Sequence, residues 1–305
     1  MLKKNQEDFI AGKLNKWEFI DKMYEDHKLL FEYSEFISGT NISKIEISDN
    51  KVIMTFRESG VKMVVNKNDA RLVPLETINF MTYENDELNM QLRLIRPENC
   101  IFDIGANYGW FSLHVAKAFP DATIYSFEPI PYTFASLSEN IKLNNLKNII
   151  YNEVGLSDKK GTFDFYYDAS SSGNASLKNV AEKSSIAVMK CKVQTLDDFL
   201  SAKNISVDYI KCDIEGAELF AFKGGIETIK KYKPIIFTEM LRKWSAQFNY
   251  HPNEIISLLS ALNYSCFELD DIKLSKISEI TENTISTNFF FLHNEKHAEE
   301  IETNS

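Results

Sequence analysis

The stretch IFDIGANYGWFSLHVAKAF, residues Ile101 to Phe119, sets an apolar run and an aspartate ahead of two glycines four apart, then an amphipathic segment. Cys100 to Ile104 reads as a buried strand, and Phe111, Val115, Ala118 and Phe119 recur at helical spacing. The pattern is strand, glycine turn, helix. Gly105 and Gly109 remove side chains where the chain bends, which predicts a ligand lying against the backbone and against the N–H groups that open the helix.

Outward from this turn, strands and helices alternate. ATIYSFEP is a strand, Tyr132 to Asn144 a helix, and NIIYNEVGLSD a strand. GTFDFYYDASSSGNASL and SSIAVMKCKVQ break the rhythm and read as an inserted hairpin-like pair. It resumes with TLDDFLSAKN (helix), VDYIKCDIEG (strand), AELFAFKGGIETIKKY (helix), PIIFTEM (strand) and a helix opened by Pro252, before final strands from YSCFELD to NFFFLH. Such alternation predicts an α/β fold with a mostly parallel sheet and helices on both faces. On the amino-terminal side, a helix runs from Tyr83 to Arg96-Pro97, and KIEISDNKVIMTFRESGVKMVVNK reads as a three-stranded meander. Residues 1 to about 38 read as helices buried through Phe9, Leu14, Phe19, Met23 and Leu30. The expected division is an accessory element at 1–75, a cofactor-binding domain at 76–293 and a polar tail at 294–305 that frays.

A chain of 305 residues, 44% of them hydrophobic, can bury a substantial core, and its net charge of −10 with no basic block argues against a nucleic-acid partner. Cys100, Cys191, Cys212 and Cys266 form no CxxC pair and read as buried reduced thiols. The opening MLKKNQEDFIAGKLNKWEF has no unbroken apolar core, so neither a signal peptide nor a transmembrane helix is expected, and the cytoplasm is the expected location.

In open α/β sheets, ligands bind at the carboxyl ends of the strands. The first strand ends in Asp103 and the glycine turn. The second ends in Glu128, about 20 residues beyond the turn, where an acid can take both hydroxyls of a ribose. The G-x-x-x-G spacing favours S-adenosylmethionine over NAD, leaving an NAD-dependent oxidoreductase as the weaker reading. By position, Asn107 and the backbone around Gly105 meet the methionine end, and Asn152 to Val154 wall the adenine. The fourth and fifth strands put Asp213, Glu215 and Glu239 at adjacent ends, a repulsive cluster that needs a cation, a proton or a hydrogen-bonding substrate. Methyl transfer to an alcohol requires a base or a metal that acidifies the hydroxyl. Asp213 with Glu239 offers oxygen ligands for Mg²⁺; alternatively one of these carboxylates, or His251, is the base. Arg242 and Trp244 are candidates for holding an acidic or sugar-bearing substrate. His27 and His114 receive no role, and a non-catalytic binding module is a third reading.

These motifs, FDIGANYGWFS, FEPIP followed by NIKLNN, VGLSDKKG, TLDDF, YIKCDIEGAELFAFKGG and PIIFTEM in this order, resemble the FkbM family of S-adenosylmethionine-dependent methyltransferases. The resemblance spans about Tyr83 to Tyr264. It implies a class I methyltransferase (Rossmann-like) fold and O-methylation of hydroxyls on sugars, glycolipids, polysaccharides or polyketide-like products. It carries Asp103, Gly105, Asn107, Gly109 and Glu128 to cofactor binding, with Val154 kept by position, and Asp213 and Glu215 to the meeting point of donor and acceptor. Related sugar methyltransferases include magnesium-dependent members. The expected acceptor is an activated sugar or surface-polysaccharide precursor, with another small hydroxylated metabolite as the alternative. The amino-terminal element is expected to cover the acceptor side of the sheet or to form a homodimer contact.

Overall fold

Apolar runs of four to seven residues and 3.6-residue stripes become strands and helices in turn. The computed structural model describes residues 1–48, 50–168, 177–178 and 187–305. Two helices open the chain, α1 (Leu2–Ile10) and α2 (Lys16–Phe36), followed by strands β1 (Ile42–Ser48), β2 (Lys51–Phe56) and β3 (Lys62–Val65). Helices α3 (Val73–Phe80) and α4 (Asn85–Leu94) lead into β4 (Cys100–Ile104), α5 (Trp110–Ala118), β5 (Thr123–Phe127), α6 (Pro131–Leu143) and β6 (Ile149–Asn152). Next come β7 (Gly155–Leu156), β8 (Gly161–Tyr167), β9 (Ala187–Gln194), α7 (Leu196–Leu200), β10 (Tyr209–Cys212), α8 (Glu218–Lys223), α9 (Ile226–Tyr232) and β11 (Ile235–Glu239). The chain closes with α10 (Arg242–Gln247), α11 (Asn253–Ser260), β12 (Tyr264–Asp270), β13 (Lys273–Ile277), β14 (Asn288–His293) and α12 (Ala298–Asn304).

The main sheet is mixed, in the order β13-β12-β14-β11-β10-β4-β5-β6. Strands β6, β5, β4, β10 and β11 pair in parallel, and β14 enters antiparallel to β11. Side chains alternate across the sheet, as a period of two requires. Ile101, Tyr209 and Ile235 join the core under α4, α5 and α6, while Phe102, Ile210 and Ile236 join the core under α7, α8, α9 and α11. Each fully buried Phe or Ile contributes about 2 kcal/mol of transfer free energy. Strands β8 and β9 pair antiparallel, with β7 parallel to β9, so the expected hairpin-like pair is present as strands. The Ser/Gly/Asn loop between them lies outside the described residues.

The meander β1-β2-β3 forms as read and is tied to α6: Lys62 N donates to Asn144 Oδ1 (2.8 Å) and Val64 N to Asn140 Oδ1 (2.9 Å). Three expectations need correction. The segment after β10 is two helices, because Gly224-Gly225 interrupts it between α8 and α9. The tail does not fray: α12 is held by Ile301, which packs on the core, and by Arg96 Nη2 donating to Glu300 Oε1 (3.1 Å). The supposed anchors of α1 and α2 are not buried. Phe9 and Leu30 are exposed, Leu14, Phe19 and Met23 are half-buried, and neither helix buries any residue, since α1 and α2 pack chiefly on each other. Among the described residues, no helix is long and apolar enough to cross a membrane.

Candidate active site

Strand β4 is the first of the parallel set. Its neighbours are β5 on one side and the much later β10 on the other, so a crevice opens at the carboxyl ends where the winding reverses. A cleft of about 480 Å³ lies there.

Gly105 sits at φ +81°, and a Cβ on it would come within 1.9 Å of the Asp213 carbonyl oxygen. Gly109 sits at φ +92°, and its Cβ would meet Leu137 Cδ1 at 2.5 Å. Both glycines are therefore required by close packing within the protein. Four N–H groups of the turn are engaged within the protein. Gly105 N and Ala106 N both donate to Phe127 O (3.0 Å each), Asn107 N donates to Glu128 Oε2 (2.9 Å) and Gly109 N to Ala106 O (2.8 Å).

Glu128 is buried, and its Oε1 accepts from Ile130 N (2.9 Å). Burial pushes its carboxyl up to about 7, against the pull of the two backbone N–H groups. Each oxygen keeps a lone pair for a hydroxyl of a ligand. Asn107 Oδ1 is buried without a hydrogen-bond partner at the cleft wall. Asp103 lies one layer deeper. Fully buried, it accepts from Ser112 Oγ (2.5 Å) and stands 3.6 Å from Lys211 Nζ, so it supports the turn from below and does not line the cleft.

The central cation, Lys211, is a residue the sequence reading missed. Opposite Asp103 on β10, its Nζ donates to Gly105 O (3.0 Å) and stands 3.3 Å from Asp213 Oδ2. Burial alone would lower its pKa, but Asp213, Asp103 and Glu84 raise it well above the usual lysine value. The available signal was one lysine inside the otherwise apolar strand YIKC.

Asp213, Glu215 and Glu239 do converge: one oxygen from each lies within 4.8 Å of the others, the sole grouping of three such side chains among the described residues. Burial, then the charges of Asp213 and Glu215, push the Glu239 carboxyl up to about 10, and burial with Asp213 raises Glu215. The loop carrying Asp213 and Glu215 is held by the buried Glu218, whose Oε1 accepts from Ile214 N and Gly216 N (3.0 Å each). Glu218, too, went unread in the sequence. So did Tyr83 and Glu84, which bring the segment before α4 into the cleft wall, and Arg71 and Glu76, paired at 2.8 Å.

Trp244 reaches the cleft. Arg242 does not; its Nη2 donates to Glu282 O (3.3 Å). His251 is exposed outside the cleft, where its Nδ1 accepts from Asn253 N (3.2 Å) at the start of α11. Val154 packs into the core behind the cleft, whose wall is formed there by Gly155 and Leu156. Thus Gly105, Asn107, Glu128, Asp213, Glu215, Glu239 and Trp244 share one cleft, and Asp103, Gly109, Val154, Arg242 and His251 stand behind or away from it.

A family model described as the methyltransferase FkbM domain matches residues 103–266. Methyltransferase sdnD of Sordaria araneosa is 33% identical over 198 residues, covering 52% of this chain and 76% of the relative. The 2-O-methyltransferase NoeI of Sinorhizobium fredii is 30% identical over 160 residues, covering 48% and 65%. Hexuronic acid methyltransferase AglP of Haloferax volcanii is 25% identical over 154 residues, covering 50% and 61%.

Proposed function

The chain belongs to the FkbM methyltransferase family, and from that premise we propose that it transfers a methyl group from S-adenosylmethionine to a sugar hydroxyl, on an activated sugar or a surface-polysaccharide precursor. One observation carries the reading: Asp213, Glu215 and Glu239 converge in the same cleft as the glycine turn and Glu128. Methyl transfer removes the oxidoreductase reading. The relatives named as a 2-O-methyltransferase and a hexuronic acid methyltransferase support a sugar acceptor.

The donor supplies an electrophilic sulfonium methyl to an in-line displacement. The chain's own residues fit it. Glu128, with both oxygens oriented by backbone N–H groups, takes the ribose hydroxyls; Asn107 Oδ1 accepts from the methionine end; Gly155 and Leu156 wall the base. Asp103 holds Lys211 in place, and Lys211 fixes the Gly105 carbonyl and Asp213 together.

An alcohol keeps its proton near neutral pH, so the acceptor oxygen becomes nucleophilic only as that proton leaves. Asp213 receives it. Glu239, itself protonated, donates a hydrogen bond that orients the acceptor, and the Trp244 indole supplies a face for a sugar ring. The three carboxylates also have the oxygen chemistry Mg²⁺ prefers. Against that second reading, Lys211 already gives Asp213 a positive partner. Turnover should therefore survive EDTA, and restoration by Mg²⁺ of activity lost to EDTA would favour the metal. To test the acceptor, the protein is incubated with radiolabelled donor and an extract of nucleotide sugars and glycans. Label in a sugar product is expected; label confined to another hydroxylated metabolite would overturn the sugar.

A further inference from the structure

Helix α2 is 21 residues long and begins with a complete capping box: Asn15 Oδ1 accepts from Trp17 N and Glu18 N, and Glu18 Oε2 accepts from Asn15 N. It is tied to α1 by Phe9 stacked on Phe19 at 4.5 Å and by Asn5 Nδ2 donating to Asp26 Oδ2 (3.2 Å). Away from α1, it presents Trp17 (70% exposed), Ile20, Tyr24 and Phe31 (67%) to solvent. With exposed His27 and Ser34 these residues recur at alternating steps of three and four, the a and d positions of a coiled-coil seam. A contiguous apolar stripe of this kind marks a surface that another element covers.

We propose that the cover is α2 of a second copy of this chain, packed antiparallel across a two-fold axis. An antiparallel seam sets each a residue against a d residue of the other helix. In the register that centres the stripe, Ile20 meets Phe31 of the second copy, Tyr24 meets His27, and the large Trp17 meets the small Ser34. The flanking position then sets Asp21 beside Lys28 of the second copy, opposite in sign, and the symmetry repeats every contact. Charge speaks against a lipid surface: residues 1–36 carry six lysines and eight carboxylates, whereas helices that bind anionic lipid carry a basic polar face. The dimer goes beyond methyl transfer and does not depend on it.

Sedimentation equilibrium of the full chain should give twice the 35.1 kDa chain mass. Tyr24→Glu should abolish the dimer. Because α2 buries nothing of its own within one chain, the far-UV circular dichroism and S-adenosylhomocysteine binding should be unchanged. Asp21→Lys should weaken the dimer, and Asp21→Lys with Lys28→Asp should restore it, which pins the register. A monomeric wild type at micromolar concentration would overturn the proposal. So would a dimer indifferent to Tyr24→Glu, or one that the charge swap fails to restore. A monomer that floats with phosphatidylserine vesicles would overturn it in favour of a membrane.

Discussion

The cleft and the amino-terminal helices break the ordinary partition of residues in opposite senses. At the ends of β4, β5, β10 and β11 the chain withdraws carboxylates and a lysine from water; along α2 it leaves aromatic rings in it. Buried charge and exposed apolar stripes are both costly, and each has a different use. On the two proposals, the buried charges serve a reaction and the exposed rings a contact. Substitutions can separate these uses, because the first should alter rates, ligand affinity and core stability, and the second only association.

The largest effect should come from Asp213→Asn, which removes the proposed proton acceptor while keeping the shape of the side chain. Methyl transfer should fall about 1000-fold, while S-adenosylhomocysteine affinity measured by calorimetry stays within a few-fold. An unchanged rate in a folded variant would deny the cluster its part in the chemistry. Lys211→Met should cost about 3 kcal/mol in urea unfolding, because Asp103 keeps its buried charge without its cation. Trp17→Ser on α2 should leave the unfolding of the core within about 0.5 kcal/mol of the parent. If the two variants destabilise alike, the contrast between the regions fails. Glu128→Ala should weaken S-adenosylhomocysteine about 100-fold, for two hydrogen bonds to a carboxylate, and unchanged affinity would reassign the ribose site.

Glu239→Gln should give a smaller change than the other cleft variants, and one of opposite sign. The Glu239 carboxyl is raised from 4.5 to about 10, so between those values the unfolded chain has released a proton that the folded chain retains. Fewer protons on the unfolded state mean that stability falls as pH rises through that window. A neutral glutamine escapes the loss. At pH 7 the variant should melt about 3 °C higher, with the gap closing below pH 4, where both states of the parent hold the proton. A gap that widens on acidification would contradict a protonated Glu239.

The strand, glycine turn and helix around Gly105 were legible because apolar periodicity reports burial directly, and the carboxylates at strand ends because α/β winding fixes where strands stop. Depth was not legible. Asp103 and Val154 sit in the right segments, but the sheet turns them behind the cleft, and His251 and Arg242 follow β11 yet are carried away by α10 and α11. Lys211 and Glu218 escaped notice because their partners, Asp103 and Gly105 for one and the Ile214 and Gly216 amides for the other, are assembled by strand pairing and loop closure. Periodicity also marked α1 and α2 as amphipathic without saying what lies against them, so exposed side chains were read as core.

At Gly105 the Asp213 carbonyl occupies the space a side chain would need, Asp213 N donates to Ile104 O, and Lys211 bridges the same two loops. The wall at Gly105 and the wall at Asp213 are thus fastened at three points, like two jaws of a vice with no hinge between them. A sideways slip of one loop would drive backbone into backbone. The spacing between the two walls is therefore machined in when β4 and β10 zip together, and the gauge is set before any ligand arrives.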